Sequence, residues 1–231
     1  LTAGTGTIGL RLSSHPLAFH LFAHLRLALD LATRVLDRVS GGRIARVTSV
    51  DFEFSPGRGD PRYTGDHSAF DVYVRYDTPQ GHPGFVGIEV KYHENLANKA
   101  ATHRVRYDEV ADLMDCFRPE ASERLKRKPL QQVWRDHLLA GAHRLQDDFA
   151  DGFFAFLYPR DNPACARAVQ EYRACLSNAD SFTAWTVEEL VDAVSASTDA
   201  PWTQAFRARY LNWHRLDAAL APAGRTTDEH R

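Results

Sequence analysis

Asp71, Glu89 and Lys91 each interrupt a short run in which apolar residues alternate with others. Side chains on a strand point to opposite faces in turn, so parity decides which residues lie together. Phe70, Val72, Val74 and Tyr76 form one face of the first run, which leaves Asp71 with Tyr73 and Arg75 on the other. Val86, Ile88, Val90 and Tyr92 do the same in the second, leaving Glu89 and Lys91 together. Two neighbouring carboxylates repel unless a hard cation lies between them, and all-oxygen donors suit Mg²⁺. An ion so held can polarise a phosphodiester and activate a water for in-line attack, while a nearby ammonium orients that water or offsets charge on phosphorus oxygens. Only four of the 28 Lys and Arg residues are lysines, so a lysine inside an apolar strand points to a site that needs an ammonium. Glu-x-Lys alone is common on solvent-facing strands. The matched parity and the preceding Asp71 carry the functional reading.

The two runs must be adjacent for this to work. They predict strands over 69–76 and 85–92, joined by a turn across Asp77–Gly84. In such a hairpin, matched apolar faces put Asp71 opposite Glu89 or Lys91, because a slip of one residue reverses every side chain. A preceding strand over 46–54 carries Val50, Phe52 and Phe54 on its apolar face and Asp51 and Glu53 opposite. Upstream, Ser13 or Ser14 caps a helix over about 16–39, closed by Gly41 and Gly42. Downstream, helices are predicted near 98–117 and 130–148, then a buried strand over 153–157. Asn162-Pro163 opens another helix, 181–186 is a last strand, and Thr186 with Glu189 forms a capping box. A helix over 201–216 follows, and the tail from Pro222 reads as disordered. The order α-β-β-β-α-α-β-α-β-α makes a mixed α/β domain. The whole chain, 1–231, reads as one unit with a helical part at about 161–218 and a tail at 222–231.

At these residues the chain resembles the PD-(D/E)xK nuclease superfamily, and most closely a bacterial restriction-endonuclease-like subset. The likeness runs through Phe52 to Arg58 (FEFSPGR), Thr64 to Asp71 (TGDHSAFD) and Gly87 to Glu94 (GIEVKYHE). It continues in Leu130 to Ala140 (LQQVWRDHLLA) and, more loosely, in Leu17 to Phe22 (LAFHLF). The resemblance implies a restriction-endonuclease-like α/β fold with a central mixed sheet and a nuclease-like core at about 13–160. It implies that Asp71 and Glu89 hold Mg²⁺ or Mn²⁺ with help from the Val90 carbonyl, and that Lys91 is catalytic. Glu53 matches an additional acidic residue, and Gln132 and Arg135, one helical turn apart, match a motif that faces the same site. The family's proline before the first aspartate is replaced by Phe70. The expected activity is a metal-dependent phosphodiesterase, a DNA endonuclease of restriction or defence type. The alternative is a catalytically silent member of the fold that serves as a nucleic-acid-binding or interaction module. The expected partner is nucleic acid, DNA ahead of RNA, with a homodimer compatible.

Composition sets outer bounds. A formal net charge of -2 excludes a polycation that coats nucleic acid, so contact falls to local clusters such as Arg124 to Lys128. Cys116, Cys165 and Cys175 form no C-x-x-C pair, which fits a reducing, cytoplasmic setting and argues against a zinc or disulfide framework. No basic segment leads into an apolar one, so no export signal is read. The most apolar stretch carries His20, His24, Arg26, Asp30, Arg34 and Asp37, so no membrane span is expected. Gly4 to Gly9 (GTGTIG) matches a dinucleotide-binding pattern but lacks the strand that must precede it. His20 and His24 share a helix face without a third ligand, and they and the four tryptophans are read as packing residues. His67 and His93 flank the proposed site.

Overall fold

The computed structural model describes residues 14–93, 96 and 101–211. Five strands form one sheet in the order β1 to β5: β1 (Arg46–Phe54), β2 (Phe70–Asp77), β3 (Pro83–Val90), β4 (Asp151–Tyr158) and β5 (Phe182–Thr186). The first three strands run antiparallel to their neighbours, and β4 and β5 continue in parallel from β3. Parallel neighbours need crossovers, which the chain supplies as helices. These are α3 (Val105–Met114), α4 (Ser122–Leu125) and α5 (Leu130–Gln146) between β3 and β4, and α6 (Pro163–Arg173) between β4 and β5.

Both faces of the sheet are buried. One carries α1 (Ser14–Leu27), α2 (Leu29–Ser40), α7 (Val187–Ser195) and α8 (Trp202–Tyr210) over Val72, Val74, Val86, Ile88 and Ala155. The other carries α3 to α6 over Tyr73, Phe85, Phe154 and Phe156. On the first three strands this second face was expected to hold Asp51, Glu53, Asp71, Tyr73, Arg75, Glu89 and Lys91. It is a second core instead, because β4 is covered on both sides and needs apolar cover on each. Phe54 and Phe70, assigned to the apolar face by parity, belong to this second core. The cause in β1 is Glu53, whose positive φ of 51° breaks the alternation and turns Phe54 onto the Tyr73 ring, centroids 4.0 Å apart. At β2 the Phe70 ring lies across Gly87, where a Cβ would stand 2.5 Å from it, so only glycine admits the close approach.

The long first helix is two. Ala28, at φ −138° and ψ 76°, separates α1 from α2. No residue there is a helix breaker, so packing imposes the break: α1 lies against β1, β2, β3 and α8, whereas α2 lies on β1 and α7. The helix expected over 98–117 spans only Val105–Met114, ended by Asp115 in the left-handed region, and α8 stops at Tyr210. The capping box at Thr186 and Glu189 and the Asn162 cap with Pro163 are formed. Gly4 to Gly9, Ser13, Trp213 and the tail lie outside the described residues. Among the described residues no helix is long and apolar enough to cross a membrane.

Candidate active site

Val72 faces Ile88 across the β2–β3 ladder, so the antiparallel register carries Asp71 toward Glu89. The ladder ends there, and the Asp71 side chain takes over from the backbone: its Oδ2 accepts a hydrogen bond from the Val90 N–H at 2.7 Å. Val90 thus meets Asp71 through its amide. Glu89 and Lys91 point to the same face, both buried, and Lys91 Nζ donates to Glu89 Oε1 at 2.5 Å. Gln132, on the first turns of α5, donates to that same oxygen at 2.7 Å. Glu89 Oε2 and Asp71 Oδ1 accept no hydrogen bond among the described residues, and each is an uncommitted donor for a cation.

These groups border a cleft of about 410 Å³ whose lining includes Glu53, Asp71, Glu89, Gln132, Arg135 and Asp136, within the roughly 300–1,000 Å³ of ligand clefts. Burial, then the charge of Glu89, pushes the Asp71 carboxyl up to about 8, against the pull of the Val90 amide and Lys91. Burial works against the Lys91 ammonium too, but Glu89, Asp136 and Asp71 outweigh it and raise its pKa. With Asp71 and Glu89 both ionised, the cluster holds more negative charge than its one lysine offsets, and the raised Asp71 carboxyl reflects that in part. An all-oxygen set with spare lone pairs and excess negative charge fits a hard divalent cation.

Arg135 lines the cleft, but its fork serves the segment leading into β2. Nη2 donates to Asp66 Oδ2 at 2.9 Å and to Ser68 Oγ at 2.6 Å. Asp66 also accepts from Thr64, Tyr107 and the Ser68 amide. Burial favours its neutral form, yet these donors win and hold its carboxyl far below the usual range. Arg135 and Asp66 thereby brace the approach to Asp71.

Sequence reasoning missed three residues here. His15, at the start of α1, has Nε2 3.1 Å from Glu53 Oε1 and 3.9 Å from Asp71 Oδ1. The three donor atoms lie within 4.8 Å of one another, the one such group of His, Cys, Asp or Glu among the described residues. No spacing signal links residue 15 to residues 53 and 71, since only the packing of α1 on the sheet does. Asp136 was legible as the residue one turn beyond Gln132 on the same helix. Asp66 lay inside the quoted TGDHSAFD segment without a role. Of the basic run, Arg124 pairs with Glu171, Lys126 with Asp108 and Arg127 with Glu123, while Lys128 reaches the cleft. His67 lines the cleft, whereas His20 bonds Tyr210 and His24 stacks on Trp202. The three cysteines are buried and unbridged.

A family model described as the PD-(D/E)XK nuclease superfamily matches residues 10–212, and the chain belongs to that superfamily. The five-stranded mixed sheet covered by helices on both faces is its restriction-endonuclease-like α/β fold. Membership points to a nuclease, with nucleic acid as substrate. No curated protein and no solved structure matches the chain.

Proposed function

We propose that the protein is a metal-dependent nuclease, a DNA endonuclease of restriction or defence type. The observation that carries this reading is the juxtaposition at the ends of β2 and β3: Asp71 and Glu89, each with one uncommitted oxygen, beside a buried Lys91. Asp71 and Glu89 would hold Mg²⁺ or Mn²⁺, with the Val90 carbonyl as a further donor. The cation supplies Lewis acidity toward a phosphodiester and makes a bound water more acidic. Lys91 orients the attacking water or neutralises charge on the phosphorus oxygens. Gln132 fixes the Glu89 carboxylate, Glu53 adds negative charge at the rim, and Arg135 braces the Asp66 segment with a guanidinium near enough to the cleft to meet a phosphate. In this reading the chain is one nuclease domain, and its unbridged buried cysteines suit a reducing cytoplasm.

The test is incubation of supercoiled plasmid, linear duplex, single-stranded DNA and RNA with Mg²⁺ or Mn²⁺, beside Lys91→Ala. Metal-dependent cleavage of the DNA substrates that the variant lacks supports the reading. Cleavage of RNA alone moves the substrate assignment. Failure of the wild type on all four with either metal leaves the silent binding module as the function.

A further inference from the structure

The hydrolytic reading leaves Asp136 without a task. This carboxylate lies on α5 one turn beyond Gln132, is 5% exposed and lines the same cleft. Its Oδ2 is buried with no hydrogen-bond partner. A buried carboxylate oxygen in that condition is strongly unfavourable and calls for an explanation beyond packing. The charged groups acting on it are Glu89, Asp71, Lys91 and Arg135. Arg135 turns its Nε and Nη2 to Asp66 and Ser68, and of the two cations acting on Asp136, Lys91 acts more strongly than Arg135.

Lys91, however, donates to Glu89 Oε1. A divalent cation between Asp71 and Glu89 competes for that same carboxylate, and it repels the ammonium. Without another anion within reach, Lys91 would leave its buried place when the cation arrives. Charge leads to the same residue. Asp71, Glu89 and Asp136, when ionised, exceed Lys91 by two negative charges, which one divalent cation balances. Arg135 and Asp66 cancel each other.

We propose that Asp136 is a positioning residue for Lys91: it receives the ammonium when Glu89 turns to a divalent cation, and so keeps Lys91 in the cleft. The inference rests on the hydrolytic reading above. Asp136 acts through Lys91 and touches neither the phosphate nor the ion.

The experiment compares full-length wild type with Asp136→Asn and with Asp136→Leu, which removes all polarity at similar volume. Three readouts are taken: Mn²⁺ affinity by calorimetry, DNA cleavage, and the Lys91 ammonium signal in ¹⁵N-lysine spectra with and without Mg²⁺. Only four lysines contribute to those spectra, and Lys91→Arg identifies the signal. In wild type, Mg²⁺ shifts the Lys91 signal but leaves it slowly exchanging. In both variants Mg²⁺ abolishes the signal and kcat falls roughly 10- to 100-fold, while Mn²⁺ affinity stays within about threefold of wild type, a change below the tenfold that marks 1.4 kcal/mol. A slowly exchanging Lys91 signal and wild-type kcat in Asp136→Asn overturn the proposal. Loss of Mn²⁺ binding in Asp136→Asn also overturns it, since Asp136 would then hold the ion itself. A wild type that cleaves nothing, yet shows the Mg²⁺-dependent shift and its loss in Asp136→Asn, overturns the nuclease reading and supports the Lys91 handover.

Discussion

Gln132 Nε2 donates to Oε1 of Glu89 at 2.7 Å, across 43 positions of sequence, and Lys91 Nζ donates to the same oxygen. One oxygen of Glu89 thus takes both donors, and the other is left for a cation. Removing a partner that orients a metal-holding group costs roughly 10- to 100-fold in affinity or activity. Gln132→Ala is expected to weaken Mg²⁺ binding and cleavage by that order, while Gln132→Glu does worse by placing an anion against Glu89. Calorimetric Mg²⁺ titration of both variants checks it; unchanged affinity in Gln132→Ala would mean that Lys91 alone orients Glu89.

Asp71 makes the metal-free protein sensitive to pH. Its folded pKa of about 8 lies above the ordinary 3.8, so the folded chain binds more protons than the unfolded chain between those values. Stability is therefore fully present below about pH 4 and is lost as pH rises to about 8, at up to about 1.4 kcal/mol per pH unit. Asp71→Asn carries no such proton and is expected to lose this slope, to melt higher than wild type in EDTA at pH 8, and to show no Mg²⁺-induced stabilisation. In wild type, protons compete with the cation, so Mg²⁺ affinity rises over the same interval. Melting temperature against pH, with EDTA or Mg²⁺, decides the matter; parallel curves for the two proteins in EDTA would contradict it.

Lys91→Ala separates holding the ion from using it. The ammonium offsets the buried Glu89 at 2.5 Å, and leaving one partner of a buried pair alone costs about 3–5 kcal/mol. The variant is expected to unfold at lower urea in EDTA, to regain much of that loss with Mg²⁺, and to cleave far more slowly at saturating metal. Urea melts with paired single-turnover rates provide the measurement. A variant as stable as wild type in EDTA would show that Lys91 does not balance Glu89.

Asp66 is predicted to be structural and to act at a distance. Its depressed pKa means that it contributes stability above the unfolded value near 3.8, lost as pH falls toward the folded one. Asp66→Asn leaves the half-buried Arg135 without its carboxylate, for a cost of about 1–3 kcal/mol. Hydrogen exchange over 57–69 should quicken, because this loop loses its central acceptor. Unchanged exchange there would show that Arg135 and Ser68 suffice to brace it.

His15 is expected to bias the choice of metal. Imidazole suits Mn²⁺ and later transition ions better than Mg²⁺, so His15→Ala should lower Mn²⁺ affinity by roughly tenfold, about 1.4 kcal/mol, and leave Mg²⁺ affinity nearly unchanged. Parallel titrations with the two ions test this. Equal effects on both would assign His15 to general electrostatics at the rim.

What the sequence by itself determined was mostly local. Alternation in 69–76 and 85–92 specified two paired strands, and period-two geometry then left Asp71 few partners other than Glu89 and Lys91. Asn162-Pro163 and the Thr186–Glu189 box marked helix starts because caps are satisfied within a few residues. The tertiary structure decided whatever depended on residues far apart. The break at Ala28 comes from two packing surfaces. The second face became a core because β4, a strand almost uniformly apolar, lies inside the sheet. A positive φ at Glu53, which no propensity announces, turned Phe54 over. His15 reaches Glu53 and Asp71 only because α1 docks on the sheet, and the charge of Asp136 acts on Lys91 only because α5 packs over β4 and β3. Alternation and capping are written in neighbouring residues, whereas the environment of a buried charge is set by every element that closes around it.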